Sequence, residues 1–279
     1  MSAAHSEVVS TARDYYNSED ADNFYFHIWG GEDIHIGLYE HEDEEIATAS
    51  RRTVEYMARQ VPGLDAESRV LDLGAGYGGA ARYLARTFGC HVTALNLSEA
   101  ENERDRAMNR EAGLDHLIEV VDGDFERVPG ADAQYDLVWS QDAILHSPNR
   151  EQVIREAARV LKPGGHLLFT DPMQADDCPE GVLQPVLDRI HLASLGSIGF
   201  YRQAAKAAGL TEVGVEDQTG QLVRHYGRVR AELLKQRAAL TGKVSEAYVE
   251  RMLTGLQHWV DAGQAGYLAW GILHFRKTS

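Results

Sequence analysis

Apolar residues in the middle of this chain recur in short runs separated by amphipathic stretches. Residues 70–73, 91–96, 118–121, 135–140 and 166–171 are runs of strand length bounded by turn formers, and each predicts a strand. Between them, residues 79–87, the stretch after Ser98 and residues 149–161 predict helices. Ser98 is a good N-cap with Glu99 and Glu101 in the first turn behind it, and Lys162-Pro163-Gly164-Gly165 closes the third helix. Such alternation predicts a mainly parallel sheet covered on both faces.

Upstream, residues 44–61 place Ile46, Ala49, Val54, Met57 and Ala58 at helical spacing, and Pro62-Gly63 ends that helix. Downstream, residues 179–195 and 200–208 predict helices and 212–215 a sixth strand. A helical stretch follows over 221–262, broken near Thr241-Gly242, and 267–276 predicts a last strand. Helical insertions placed after strand C-termini would cap a ligand crevice. The chain divides into an N-terminal lid and helix (1–67), an alternating core (68–175), and the rest of the sheet with helical cap insertions (176–279).

Composition sets the environment. With 44% hydrophobic and 25% charged residues the 279-residue chain is globular, and no apolar run is long enough to span a membrane. The first residues lack the basic and apolar segments of a signal peptide, so a cytoplasmic protein is expected. Cys90 and Cys178 make neither a disulfide framework nor a zinc site, and no metal is expected. The net charge of −16 should repel nucleic acid and anionic membranes. It fits simple solubility, or adaptation to high salt. A monomer or small homo-oligomer is expected.

The chemistry centres on Asp72-Leu73-Gly74-Ala75-Gly76-Tyr77-Gly78-Gly79, a strand end running through a glycine turn into a helix. Gly74, Gly76 and Gly79 satisfy the G-x-G-x-x-G pattern of nicotinamide enzymes. The same glycines behind Asp72 fit the D-x-G-x-G-x-G pattern of S-adenosylmethionine (AdoMet) sites. The second strand ends in Asn96 where either class usually has an acid for the ribose. Asp124-Phe125 after the third strand suits an adenine amino group and ring.

Asp72-x-Gly74-x-Gly76-x-Gly78, Asp122-Gly123-Asp124, Tyr135-Asp136-Leu137-Val138 and Leu161-Lys162-Pro163-Gly164-Gly165 together resemble class I AdoMet-dependent methyltransferases over residues 68–171. The resemblance implies an α/β Rossmann-like sheet of six parallel strands plus one antiparallel, with a helical cap. It implies that Asp72, Gly74, Ala75 and Gly76 face the methionine part of AdoMet, that Asn96 and Leu97 hold the ribose, and that Asp124 and Phe125 hold the adenine. Ser140 to His146 would border the methyl group.

A narrower resemblance spans nearly the whole chain. Trp29-Gly30-Gly31-Glu32-Asp33-Ile34-His35-Ile36-Gly37-Leu38-Tyr39 is similar to the leader of tocopherol and related small-molecule methyltransferases. With Ser140-Gln141-Asp142-Ala143-Ile144-Leu145-His146-Ser147, the stretch 189–197 and the Trp270-Gly271 ending, the chain looks most like sarcosine/dimethylglycine N-methyltransferases, which make glycine betaine. Such enzymes act on small amino acids, with neither nucleic acid nor membrane as partner. By this resemblance His35 and Gly37 meet the methionine end of the cofactor.

Methyl transfer from a sulfonium is an in-line displacement, so the protein mainly aligns the reactants. Dimethylglycine is a zwitterion and its product nitrogen is a permanent cation. The site should offer π-faces to the cation and a donor to the carboxylate. Tyr16, Tyr25 and Trp29 are available rings, and Arg189, in the insertion after the fifth strand, is the candidate carboxylate anchor. His146 could relay the amine proton, Asp142 could steady the ammonium or the sulfonium, and Gln141 could bond the carboxylate or the adenine edge. A larger amine, phenol or lipid acceptor stays open as an alternative, as does a nicotinamide oxidoreductase.

Overall fold

A computed structural model describes residues 19–29, 31–190 and 192–278. Its centre is a seven-stranded sheet built from β1 (Arg69–Leu73), β2 (His91–Asn96), β3 (Ile118–Asp122), β4 (Tyr135–Gln141), β5 (Leu161–Gln174), β6 (Leu210–Asp217) and β7 (Leu268–Lys277). The spatial order is β3-β2-β1-β4-β5-β7-β6. Only β7 runs against its neighbours, pairing antiparallel with both β5 and β6. The sheet is therefore the expected six parallel strands plus one antiparallel.

Side chains alternate between two apolar layers because successive residues of a strand face opposite sides. Val70, Leu137, Trp139 and Leu168 enter the layer under the helices Ile46–Ala58 (α2) and Gly79–Phe88 (α3). Leu71, Leu73, Val138, Leu167 and Phe169 enter the opposite layer, under Arg150–Val160 (α5) and Ile198–Ala207 (α7). Glu99–Glu111 (α4) lies between β2 and β3 in sequence, and the Ser98 hydroxyl accepts from Glu101 N as the cap expected there.

A third apolar cluster stands apart from the sheet's two faces. It joins the leader helix Glu19–Ile28 (α1) to Thr219–Gln236 (α8), Glu246–Gln264 (α9) and the short helix Gln184–Arg189 (α6). This is the cap. The helix expected over 179–195 contracts to α6, because Gly181 takes φ +81° before it and the chain leaves helical geometry after Arg189. The break between α8 and α9 falls where expected, with a 3₁₀ turn at Arg237–Leu240 and Gly242 at φ +82°. The turn at Lys162–Gly165 is drawn into the start of β5, since Leu161 already pairs with Tyr135. His166, which its strand-start position would leave solvated, bonds through Nδ1 to His274 Nε2 at 2.8 Å across β5 and β7.

Candidate active site

The strand order reverses between β1 and β4, so the loops leaving their C-terminal ends diverge and open a crevice. Ile34, Gly74, Gly76, Asn96, Leu97, Ser98, Glu101, Phe125, Gln141, Asp142, Ala143 and His146 line it. Gly74 and Gly76 have φ of +75° and +55°, which side-chain-bearing residues rarely adopt. A Cβ on Gly74 would stand 2.3 Å from Ala143 Cβ. The turn thus keeps bare backbone at the crevice floor, where a ligand can approach closely.

Asp72 sits beneath that floor on β1, and its Oδ2 has no hydrogen-bond partner among the described residues. Burial, with Asp105 and Asp33 nearby, pushes its carboxyl up to about 8. A buried carboxyl with an unpartnered oxygen suits a cationic group brought in by a ligand.

At the next strand, Asn96 donates Nδ2–H to Glu101 Oε2 at 2.9 Å. Both residues line the crevice and both are buried. In the sequence Glu101 reads only as an acid in a helix's first turn. The signal was the missing acid at Asn96 with a carboxylate one helical turn past Ser98. Leu97 and Phe125 line the crevice as well. Asp124 turns its Oδ1 to Glu126 N at 2.8 Å, capping the 3₁₀ turn that presents Phe125. Ser140 is fully buried and donates to Leu73 O at 2.7 Å, so it ties the tips of β4 and β1 together and does not line the crevice. Ala75 N bonds Leu95 O at 3.2 Å, fixing the turn to β2.

Asp142 follows β4 with φ +52°, a conformation uncommon outside glycine. Its carboxylate accepts from Ile36 N at 2.6 Å and from Trp270 Nε1 at 2.8 Å. It therefore pins the leader strap over the crevice, with Ile34 facing inward. Burial raises the Asp142 carboxyl above its ordinary range, opposed by His35 and the Ile36 N–H. Gln141 accepts from Trp139 Nε1 at 3.0 Å. His146 is held down to about 4 by burial and then by the Arg150 and Arg189 charges, so its ring is neutral near pH 7. Asp171, accepting from Leu145 N at 2.9 Å and Tyr201 OH at 2.6 Å, fixes the loop that carries His146.

His35 and Gly37 belong to the strap and not to the crevice lining. His35 is buried with Nε2 3.7 Å from Asp33 Oδ1. Gly37 packs under α2, where a Cβ would stand 2.6 Å from Ala49 Cβ, and its N–H reaches His225 Nδ1 at 3.2 Å. His225 itself lies in the apolar stripe of α8, where nothing in the sequence sets it apart from the core.

Tyr25 and Trp29 are buried in the cap cluster, their rings 5.2 Å apart. Trp29 also lies 6.0 Å from Tyr226, edge to face. Tyr16 lies outside the described residues. Arg189, on α6, is half-buried and close enough to depress the His146 pKa. Its stem lies against Gly255 of α9, where a Cβ would come within 2.2 Å of Arg189 Cδ. Its neighbour Asp188 is taken by Gln184 Nε2 at 2.6 Å.

Residues 71–169 match the model of a methyltransferase domain. Over 271 residues the chain is 64% identical to a sarcosine/dimethylglycine N-methyltransferase of Halorhodospira halochloris, covering 97% of each chain. The chain belongs to the sarcosine/dimethylglycine N-methyltransferase family. A second relative so named, from Aphanothece halophytica, is 55% identical over 97% of this chain and 98% of its own. A crystal structure of a candidate sarcosine dimethylglycine methyltransferase from Galdieria sulphuraria superposes with a TM-score of 0.90 at 45% identity, over 95% of this chain and 99% of that one. Membership in this methyltransferase family decides between the two readings of the glycine turn, and the oxidoreductase alternative falls. Among the described residues no helix is long and apolar enough to cross a membrane, and no three His, Cys, Asp or Glu side chains gather as metal ligands.

Proposed function

We propose that this protein is an AdoMet-dependent N-methyltransferase that converts sarcosine to dimethylglycine and dimethylglycine to glycine betaine. The observation that carries the reading is the crevice at the β1–β4 reversal, floored by the Gly74–Gly76 turn, flanked by the Asn96–Glu101 pair and joined through Ile34 to the aromatic cap cluster.

The residues present fit AdoMet. Asp72 offers its buried carboxyl to the ammonium of the methionine part, beside the N–H groups of the glycine turn. Asn96 and Glu101 together replace the single acid at the end of the second strand and take the ribose hydroxyls, while Phe125 packs on the adenine. When bound, AdoMet supplies an electrophilic methyl group on a sulfonium. The chain itself aligns the acceptor and excludes water. Asp142 keeps the strap closed through Ile36, so its contribution is positional and its carboxylate is engaged at both oxygens. His146 stays a neutral ring that can accept a hydrogen bond from the acceptor amine. Tyr25 and Trp29 offer π-faces to the cationic nitrogen. Arg189 balances the acceptor carboxylate, and the net charge of −16 fits a protein working amid the high salt that an osmolyte answers.

Proton NMR of a reaction started from sarcosine and AdoMet tests the reading. Dimethylglycine N-methyl signals should rise first and the trimethylammonium signal of glycine betaine after them. Consumption of AdoMet by other acceptors with none by sarcosine or dimethylglycine would overturn it.

A further inference from the structure

The cap cluster holds buried N–H donors that a purely apolar core has no use for. His225 is fully buried on α8. Its Nδ1 accepts from Gly37 N at 3.2 Å, and Tyr39 OH lies 2.8 Å from the same nitrogen. A nitrogen that accepts from a peptide N–H carries no proton, so the neutral ring bears its hydrogen on Nε2. The ring is neutral, since burial first and His35 second hold it down to about 3. That Nε2–H has no acceptor among the described residues, and neither does the indole Nε1–H of Trp29. The two rings lie 5.1 Å apart, centroid to centroid. Two buried donors side by side without an acceptor are costly unless a ligand supplies one.

Aromatic rings stand around these donors. Tyr226 presents its ring edge to face with Trp29 and stacks on Trp259 at 4.7 Å. The cluster also adjoins the crevice. Consecutive peptide N–H groups of the strap bond Asp142, at the crevice, and His225, in the cap. One peptide unit, about 3.8 Å between Cα atoms, separates the two anchor points.

We propose that His225 is an acceptor-binding residue: its Nε2–H and the Trp29 indole N–H together receive the carboxylate of the amino-acid acceptor. This rests on the reading of the protein as a sarcosine/dimethylglycine N-methyltransferase. Arg189 then supplies charge, while these two neutral donors supply direction, and Tyr39 and Gly37 fix the tautomer that makes His225 a donor.

His225→Phe removes both ring nitrogens and keeps an aromatic ring in place. It should raise the KM for dimethylglycine about ten- to a hundredfold, the loss expected for one hydrogen bond to a charged group. The dissociation constant of AdoMet should stay within about twofold, and His225→Gln, which keeps an N–H, should recover part of the affinity. The inhibition constant of 2-(dimethylamino)ethanol, which has the amine without the carboxylate, should not move. A KM unchanged by His225→Phe, or equal losses for both compounds, overturns the assignment. A wild-type protein that does not methylate dimethylglycine overturns the functional reading itself, and the assignment with it. Wild-type protein labelled with ¹⁵N-histidine gives an answer that does not depend on a variant folding. Glycine betaine added with S-adenosylhomocysteine should shift the His225 Nε2–H resonance, and no shift at saturation contradicts the proposal.

Discussion

Asn96 and Glu101 meet at 2.9 Å in the wall of the crevice, amide to carboxylate, although one ends a strand and the other opens a helix. The pair puts a carboxylate beside an amide at the end of the second strand. Glu101→Gln keeps the shape and removes the charge. It should weaken AdoMet binding by about ten- to a hundredfold, the range for a lost charged hydrogen bond, with little change in the KM for dimethylglycine. Isothermal titration with AdoMet and steady-state kinetics with dimethylglycine separate the two.

Asp72 is expected to trade stability for binding. Its folded-state pKa, about 8, lies above the ordinary carboxylate value. A carboxyl raised in this way favours the fold fully below its unfolded pKa, and that contribution is lost as pH rises through the folded value. Wild-type protein without ligand should therefore lose stability between about pH 4 and pH 8 on this account. Asp72→Asn removes the cost, so the variant should be the more stable protein at pH 9, with the two converging near pH 4. The same variant should lose measurable AdoMet binding. Urea denaturation across that range, with titration at pH 8, checks both halves.

The alternating core was legible because each strand's apolar period and each turn's glycine or proline are local signals. The antiparallel seventh strand was implied by the family resemblance, and the sheet's order comes from the structure alone. The roles proposed for Glu101 and His225 were not legible. An acid in a helix's first turn reads as a dipole partner, and a histidine on an apolar face reads as core. Only the placement of Asn96 beside one, and of Gly37 and Trp29 around the other, gives them work. Arg189 stands out in the sequence by its place after the fifth strand, but the packing of its stem on Gly255 joins residues far apart in sequence.

That packing is testable. Gly255→Val puts side-chain atoms where the Arg189 stem lies. Arg189→Ala should raise the KM for dimethylglycine by at least about tenfold with AdoMet affinity intact. Gly255→Val should reproduce that pattern by displacing the guanidinium. Parallel losses for both substrates would make Arg189 a structural residue.

The acid limb of stability should report the paired histidines. His274 is held down to about 4 by burial and then by His166, and His166 is itself lowered by burial and by Arg276. A base with a depressed folded pKa contributes stability that is present above its unfolded value and lost as pH falls toward the folded one. Against the opposite trend from Asp72, the pair should thus withdraw its own contribution from about pH 6.5 to pH 4. His274→Phe should flatten that decline, read as urea midpoints at pH 7 and pH 4.5. An equal decline in the variant would assign the acid limb to other groups, such as His146 and His225.

Transfer of label from methyl-labelled AdoMet to dimethylglycine, run beside larger amine, phenol and lipid acceptors under one set of conditions, reads the acceptor directly. Labelled glycine betaine is expected from dimethylglycine, with the larger acceptors left unlabelled. Label appearing in a larger acceptor and absent from glycine betaine would contradict it.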